Sequence, residues 1–114
     1  MKVLYLAGPY RADTTYGVYQ NIRKAEKKAV ELWQQGYAVL CPHLNSQLFE
    51  LMFDNANEIC LAGGLEMLQR CDAIYMMKGW ENSEGSKQEL KLAKNMRMEI
   101  IYENFTSKKA TGIG

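Results

Sequence analysis

The stretch KVLYLAGP, residues Lys2–Pro9, indicates the fold class. Its short apolar run ends abruptly at Gly8-Pro9, so it predicts a buried strand followed by a turn. Further runs of the same kind predict three more strands: YAVLC (Tyr37–Cys41), AIYMM (Ala73–Met77) and MEIIY (Met98–Tyr102).

Segments with apolar side chains at helical spacing separate these strands. The second helical segment, Ile59–Arg70, contains Gly63-Gly64. Two glycines would cost a helix roughly 2 kcal/mol relative to alanine, so we expect this helix to begin just after them. Leu44–Ala56 is compatible with a helix or with irregular structure. The helical segments are Tyr19–Gln35, Ile59–Arg70 and Lys87–Asn95.

Strands that alternate with helices predict an α/β fold: a small doubly wound, Rossmann-like or flavodoxin-like parallel sheet of four to five strands flanked by helices. We expect one domain over residues 1–105, with residues 106–114 as a loose tail. In such sheets ligands bind at the carboxyl ends of the strands. The loops that follow the first three strands are therefore the candidate site.

Composition excludes several classes of function. The 114 residues carry a net charge of +1, which gives no electrostatic reason to bind nucleic acid polymers or membranes. No apolar run approaches the ~20 residues of a membrane span, and the N-terminus lacks a signal-peptide pattern, so we expect a cytoplasmic protein. Three cysteines without CxxC spacing and a lone histidine, His43, predict reduced thiols and no metal site.

The loops after the first two strands hold candidate ligand-binding residues. Gly8 lets the backbone approach a ligand closely, Pro9 stiffens the turn, and the guanidinium of Arg11 can hold a phosphate or carboxylate. A plain surface turn explains these residues about equally well. His43, after the second strand, can donate a hydrogen bond to a sugar or phosphate, or can serve a structural role.

The loop after the third strand reads GWENSEGSKQEL, Gly79–Leu90. One interpretation is a capping box, in which Ser86 begins a helix and Glu89 completes the S-x-x-E pattern. The other is a phosphate cradle formed by Ser83, Gly85 and the helix start, next to a nucleophilic carboxylate. The capping box leaves Ser83 and Gly85 without a role.

Four motifs together resemble the nucleoside 2-deoxyribosyltransferase superfamily, and in particular a short branch near its 2′-deoxynucleoside 5′-phosphate N-hydrolases. The similarity extends from Val3 to about Tyr102. The motifs are YLAGPYR (Tyr5–Arg11), PHL (Pro42–Leu44), LQRCDAIYM (Leu68–Met76) and GWENSEGSKQEL (Gly79–Leu90).

The resemblance implies a role for each matching residue. Glu89 falls on the nucleophile of the S-x-G-x-x-x-E pattern, and Ser83 falls on a serine that contacts the 5′-phosphate in the hydrolases. The remaining implied contacts are Tyr5 under the ligand, Gly8 and Arg11 near the sugar phosphate, and His43 lining the pocket. The implied reaction resembles a retaining glycosidase step and needs no cofactor or metal.

One position departs from the pattern of the superfamily. Its members usually carry an aspartate eight residues before the "DA" of the third strand, and Gly64 stands there in this chain. Glu58, Glu66 or Asp54 could substitute, whereas Asp72 is expected to be structural.

The sequence therefore leaves three functions open. The first is an N-glycosidase that cleaves (deoxy)nucleoside 5′-monophosphates through Glu89. The second is a nucleotide-binding module without chemistry, and the third is a base-exchanging deoxyribosyltransferase. The resemblance also implies a homodimer or larger homo-oligomer, and several apolar side chains are compatible with this: Trp33, Leu48, Phe49, Leu51, Met52 and Phe53.

Overall fold

A computed structural model describes residues 1–104 and shows the α/β architecture that the sequence predicts. Four strands form one all-parallel sheet in the order β2-β1-β3-β4. The register pairs Leu4 of the first strand with Val39 on one side and with Ala73 on the other. The strands are β1 (Val3–Ala7), β2 (Ala38–Leu40), β3 (Ala73–Met76) and β4 (Glu99–Tyr102).

Four α-helices and two 3-10 turns connect the strands. The helices are α1 (Thr15–Gln34), α2 (Pro42–Asn45), α3 (Ala56–Leu68) and α4 (Glu84–Asn95), and the 3-10 turns are Phe49–Leu51 and Trp80–Asn82. The segment over residues 44–56 therefore combines the end of a short helix, turns and one 3-10 turn. The predicted tail, residues 106–114, lies outside the described residues.

Successive side chains of β1 face two separate hydrophobic cores. Leu4 and Leu6 face a core built with α1, whereas Tyr5 and Ala7 face a core built with α3 and α4. Side chains on a strand alternate between the two faces of a sheet, so a strand that is apolar throughout predicts helices on both faces. The two cores confirm this prediction.

Three predicted helix starts are wrong. Helix α3 begins at Ala56 and contains both Gly63 and Gly64, and α4 begins at Glu84 rather than Lys87. Glycine is unfavourable inside a helix, but at Gly64 the close packing of Tyr5 outweighs that preference. Helix α1 also begins earlier than predicted, at Thr15, where Thr14 caps it by accepting a hydrogen bond from the Gly17 N–H.

The strand order sets the place of the ligand site. The chain leaves β1 toward β2 on one side and later returns to β3 on the other side. The connections after β2 and β3 therefore flank the carboxyl end of β1. This reversal of strand order is where doubly wound sheets bind ligands.

Candidate functional site

A cavity of about 290 Å³ opens at the carboxyl end of β1. Its walls come from four parts of the chain: the end of β1 with the following loop, the start of α2 with the segment to Glu50, the first half of α3, and the start of α4. All eight site residues predicted from the sequence line this cavity: Tyr5, Gly8, Pro9, Arg11, His43, Ser83, Gly85 and Glu89.

Tyr5 and Glu89 form a buried pair in the cavity wall. The Tyr5 hydroxyl donates a short hydrogen bond to Glu89 Oε2, and the glutamate is only 9% exposed. Burial raises the pKa of Glu89 from 4.5 to about 7, although the hydrogen bond from Tyr5 opposes that shift. Burial and the neighbouring carboxylate also raise the pKa of Tyr5, so the phenol keeps its proton. The pair places a carboxylate that titrates near neutral pH against the cavity.

Gly64 makes room for this pair. A Cβ at position 64 would lie 2.7 Å from the Tyr5 hydroxyl and 3.9 Å from Glu89 Oε2. A side chain at this position, including the aspartate that the resemblance leads us to expect, cannot occupy the site while Tyr5 holds its place. Packing therefore explains Gly64, whose cost in helix propensity is offset by the contact it permits, but not Gly63, where a Cβ would meet nothing within 4 Å.

The start of α4 excludes one of the two interpretations of the GWENSEGSKQEL segment. Ser83, not Ser86, is the N-cap, and its Oγ accepts a hydrogen bond from the Ser86 N–H at 3.2 Å. The capping box of Ser86 and Glu89 is therefore wrong, because Glu89 lies inside the helix and faces the cavity.

Ser86 is the third helical residue of α4 and is 1% exposed. Among the described residues its Oγ has no hydrogen-bond partner. A buried hydroxyl without a partner is unfavourable by about 1–3 kcal/mol, so its retention in the cavity wall is consistent with a partner supplied by a ligand.

The loop after β1 is held by contacts within the protein. A Cβ at Gly8 would lie 2.8 Å from the Sδ atom of Met77, so the close approach that Gly8 permits is to the end of β3. Nε2 of His43 lies 2.8 Å from the carbonyl oxygen of Pro9, and it carries the proton because a carbonyl only accepts. Burial lowers the pKa of His43, so the ring is neutral and positions this loop. Arg11 is exposed at the rim.

The sequence did not predict a second hydrogen-bond network in the cavity wall, which joins the loop after β1 to the segment after α2. The Tyr10 hydroxyl donates to Glu50, with its oxygen 2.8 Å and 3.2 Å from the two carboxylate oxygens, and accepts from the Leu48 N–H at 2.7 Å. Burial raises the pKa of Tyr10 to about 12. Leu48 adopts a left-handed backbone conformation, with φ at 62°. Forty residues separate Tyr10 from Glu50, and no local pattern indicates that they meet.

The carboxylates considered as substitutes for the missing aspartate do not reach the cavity. Asp54, Glu58 and Glu66 are exposed and do not line it, and Glu66 pairs with Arg70. Asp72 is structural, as expected, since its carboxylate accepts the Val3 N–H at 2.7 Å. The carboxylates that line the cavity are Glu50, Glu84 and Glu89.

Two further features bear on function: metal-binding clusters and membrane-spanning helices. No group of three or more His, Cys, Asp or Glu side chains within residues 1–104 could hold a metal ion. No helix in the same range has the length and apolar character needed to cross a membrane.

Comparison with known proteins adds a family but no activity. A family model described as a domain of unknown function (DUF4406) matches residues 2–102. No curated protein matches the chain. The match spans all four strands, both cores and the whole of the cavity. The chain therefore belongs to the DUF4406 family.

Proposed function

We propose that the protein is an N-glycosidase that cleaves the base–sugar bond of nucleoside or deoxynucleoside 5′-monophosphates. The observation that carries the proposal is the buried Glu89 carboxylate, which accepts a hydrogen bond from Tyr5 in a cavity next to the start of α4. The resemblance of four sequence motifs to the nucleoside 2-deoxyribosyltransferase superfamily supports the same function.

The start of α4 is suited to the 5′-phosphate. Free backbone N–H groups and the helix dipole attract anions at a helix N-terminus. The Ser83 Oγ accepts a hydrogen bond from the Ser86 N–H, so the Ser83 hydroxyl proton stays free to donate to a ligand. The buried Ser86 hydroxyl offers a second donor, and Arg11 offers a guanidinium at the rim.

The spacing along α4 suits a sugar phosphate. Glu89 follows the cap residue Ser83 by six positions, which is about 9 Å along a helix axis at 1.5 Å per residue. A mononucleotide with its phosphate at the helix start would therefore extend its sugar toward Glu89. We propose that the Glu89 carboxylate meets C1′ of a nucleotide bound in this way.

The reaction would proceed through a glycosyl-enzyme. Ionised Glu89 attacks C1′ as positive charge develops there, and the base leaves. Water then attacks C1′ and releases the sugar phosphate and the carboxylate. Tyr5 holds Glu89 in one orientation and, by donating to its ionised form, favours that form at neutral pH.

A second candidate is a nucleotide-binding module without catalysis, and Gly64 favours it. Members of the nucleoside 2-deoxyribosyltransferase superfamily usually carry an acid at the position of Gly64. This chain has no side chain there, and the Tyr5 hydroxyl occupies that space. A carboxyl with a pKa of about 7 is partly neutral at physiological pH, so Glu89 would not strongly repel a bound phosphate.

Release of free base from a panel of ribonucleoside and deoxyribonucleoside 5′-monophosphates distinguishes these candidates. Wild type is expected to release at least one base, and Glu89→Gln is expected to release none while still binding the nucleotide. Binding without release by wild type would reject the enzyme and leave the binding module. Adding a second free base tests for the transferase, since a new nucleotide would then form.

Self-association is part of the proposal. Several apolar side chains near the rim are exposed, namely Leu51, Met52, Phe53 and Ile59, and a second copy of the chain could cover them. Light scattering at micromolar concentration is expected to give the mass of a dimer or larger oligomer. A monomeric mass would reject this part of the proposal.

A further inference from the structure

We propose that Glu50 is the acid that protonates the departing base, in place of the side chain that Gly64 lacks, and that Tyr10 positions it. This inference rests on the proposed function and names a second reacting residue for it. It is carried by the Tyr10–Glu50 network and by the place of Glu50 across the cavity from α4.

Topology places the two carboxylates on different walls of the cavity. Glu50 belongs to the segment that follows β2, and Glu89 belongs to the helix that follows β3. Since β2 and β3 lie on either side of β1, these segments meet over the carboxyl end of β1 from opposite sides. Cleavage of a glycosidic bond by two carboxyl groups needs this arrangement, with one group at each side of the bond.

The hydrogen bonds around Glu50 fix its orientation. The Leu48 N–H and the Glu50 carboxylate both bind the Tyr10 hydroxyl, so the phenol bridges the backbone and the acid. The Tyr10 ring in turn packs edge-on against His43, with the ring centroids 5.5 Å apart. The Tyr10 hydroxyl uses only acceptor sites of Glu50, so the O–H of a protonated Glu50 carboxyl stays free to donate to a ligand.

The other cavity carboxylates are unsuited to this role. Glu84 has an 82% exposed side chain and pairs with Lys87 at 2.9 Å, so Lys87 and solvent already bind its carboxylate. Glu89 is the proposed nucleophile and cannot also protonate the base in the same step. Among the carboxylates that line the cavity, Glu50 is the one left to face the base.

The proton inventory balances over the two steps. In the first, the protonated Glu50 carboxyl transfers its proton to an atom of the base as the C1′–N bond breaks and a Glu89–C1′ bond forms. In the second, the Glu50 carboxylate takes a proton from the water that attacks C1′, and the Glu89–C1′ bond breaks. Free base and sugar phosphate leave, with Glu50 protonated and Glu89 ionised again.

A substrate whose base needs no proton tests this role. A 7-methylated purine is already cationic and leaves as a neutral molecule. The experiment compares kcat/KM for deoxyguanosine 5′-monophosphate and its 7-methyl derivative, corrected for spontaneous loss of the base. The proteins are wild type, Glu50→Gln, Glu89→Gln and the control Glu66→Gln, whose exposed carboxylate lies outside the cavity, and each is checked for cooperative thermal unfolding.

Glu50→Gln is expected to lower kcat/KM by about 10²–10⁴ on the unmethylated nucleotide and by less than about tenfold on the 7-methyl derivative. Glu89→Gln should lose activity on both, and Glu66→Gln should stay within about twofold of wild type. Tyr10→Phe should show a smaller loss with the same dependence on the leaving base, which a merely structural role would not produce.

Two results would overturn the role of Glu50 alone. One is an equal loss on both nucleotides in Glu50→Gln, and the other is wild-type activity of that variant on both. A wild type that cleaves neither these two nucleotides nor any other of the panel would overturn the proposed function, and the acid role with it.

Discussion

The hydroxyl of Tyr5 lies 2.7 Å from the point where a side chain at position 64 would begin. Tyr5 is fully buried and its hydroxyl is bound to Glu89, so it cannot move away without losing that hydrogen bond. The glycine in α3 and the carboxylate in α4 are therefore linked through one phenol. This contact explains both the interrupted helix pattern and the absence of an acid at position 64.

Alanine at the two neighbouring glycines should have opposite effects on stability. Gly64→Ala should lower the free energy of unfolding by about 1–3 kcal/mol, because the new methyl group overpacks against the Tyr5 hydroxyl. Gly63→Ala is the matched control, since a Cβ there meets nothing within 4 Å, and it should gain about 0.5–1 kcal/mol of helix propensity. Urea unfolding measures both. A gain in both variants would contradict the contact.

Removing the phenol oxygen of Tyr5 should reduce the loss of stability that Gly64→Ala causes. In Tyr5→Phe the nearest remaining ring atom, Cζ, lies 3.9 Å from the new methyl group, which is an ordinary contact. The double variant should therefore lose at least about 0.5 kcal/mol less than the sum of the two single losses. Additive losses would show that the two positions do not interact.

Local patterns predicted the order of the strands and helices. The apolar runs at Val3–Ala7 and Ala73–Met76 indicated buried strands, because a strand covered on both faces has no polar side to display. The start of α3 was predicted wrongly because propensity counts the cost of Gly64 but not its tertiary contact with Tyr5.

The candidate site was predictable only in part. The motifs and their resemblance led to the eight residues that line the cavity, but Glu50 was missed because it meets Tyr10 only in the folded chain. The choice of Ser83 over Ser86 as the cap of α4 also depended on where the 3-10 turn Trp80–Asn82 ends. Neither relationship has a signature in a local pattern.

Glu89→Gln should stabilise the protein at alkaline pH. Since burial raises the pKa of Glu89 from 4.5 to about 7, the folded state binds this proton more tightly than the unfolded state. The resulting stabilisation is complete below about pH 4.5 and is lost as the pH rises through about 7. At pH 8 the amide variant should exceed wild type by up to roughly 3 kcal/mol, from 1.36 kcal/mol per pKa unit.

Urea unfolding at pH 5 and pH 8 measures this difference. The advantage of Glu89→Gln over wild type should be small at pH 5, where the wild-type carboxyl is largely protonated, and large at pH 8. An advantage that is independent of pH would contradict a raised pKa at Glu89.

Tyr5→Phe should raise the pKa of Glu89 further. The phenol hydrogen bond favours the ionised carboxylate, and its loss leaves burial without an opposing effect. A titration followed by the ¹³C signal of the Glu89 carboxyl measures the pKa directly. Tyr75→Phe is the control, because Tyr75 belongs to the core on the other face of the sheet. An unchanged or lower pKa in Tyr5→Phe would contradict the hydrogen bond.

Two helix caps should differ in their effect on ligand binding. Ser83→Ala and Thr14→Ala each remove an N-cap side chain and should each cost about 1 kcal/mol of stability. Only Ser83 lines the cavity, so only Ser83→Ala should weaken binding of a nucleoside 5′-monophosphate in calorimetry. Equal binding by both variants would reject Ser83 as a phosphate contact.

The most direct test of the central claim is to trap the glycosyl-enzyme. The probe is a 2′-deoxy-2′-fluoroarabinonucleoside 5′-monophosphate that carries the base released fastest by wild type. Its fluorine slows the second step of a retaining mechanism, in which water attacks the glycosyl-enzyme. Mass spectrometry of the digested protein should then find the fluorinated sugar phosphate attached to Glu89, and Glu89→Gln should carry no adduct. Base release by wild type with Glu89 left unmodified, or with the adduct on another residue, would contradict the assignment of Glu89 as the nucleophile.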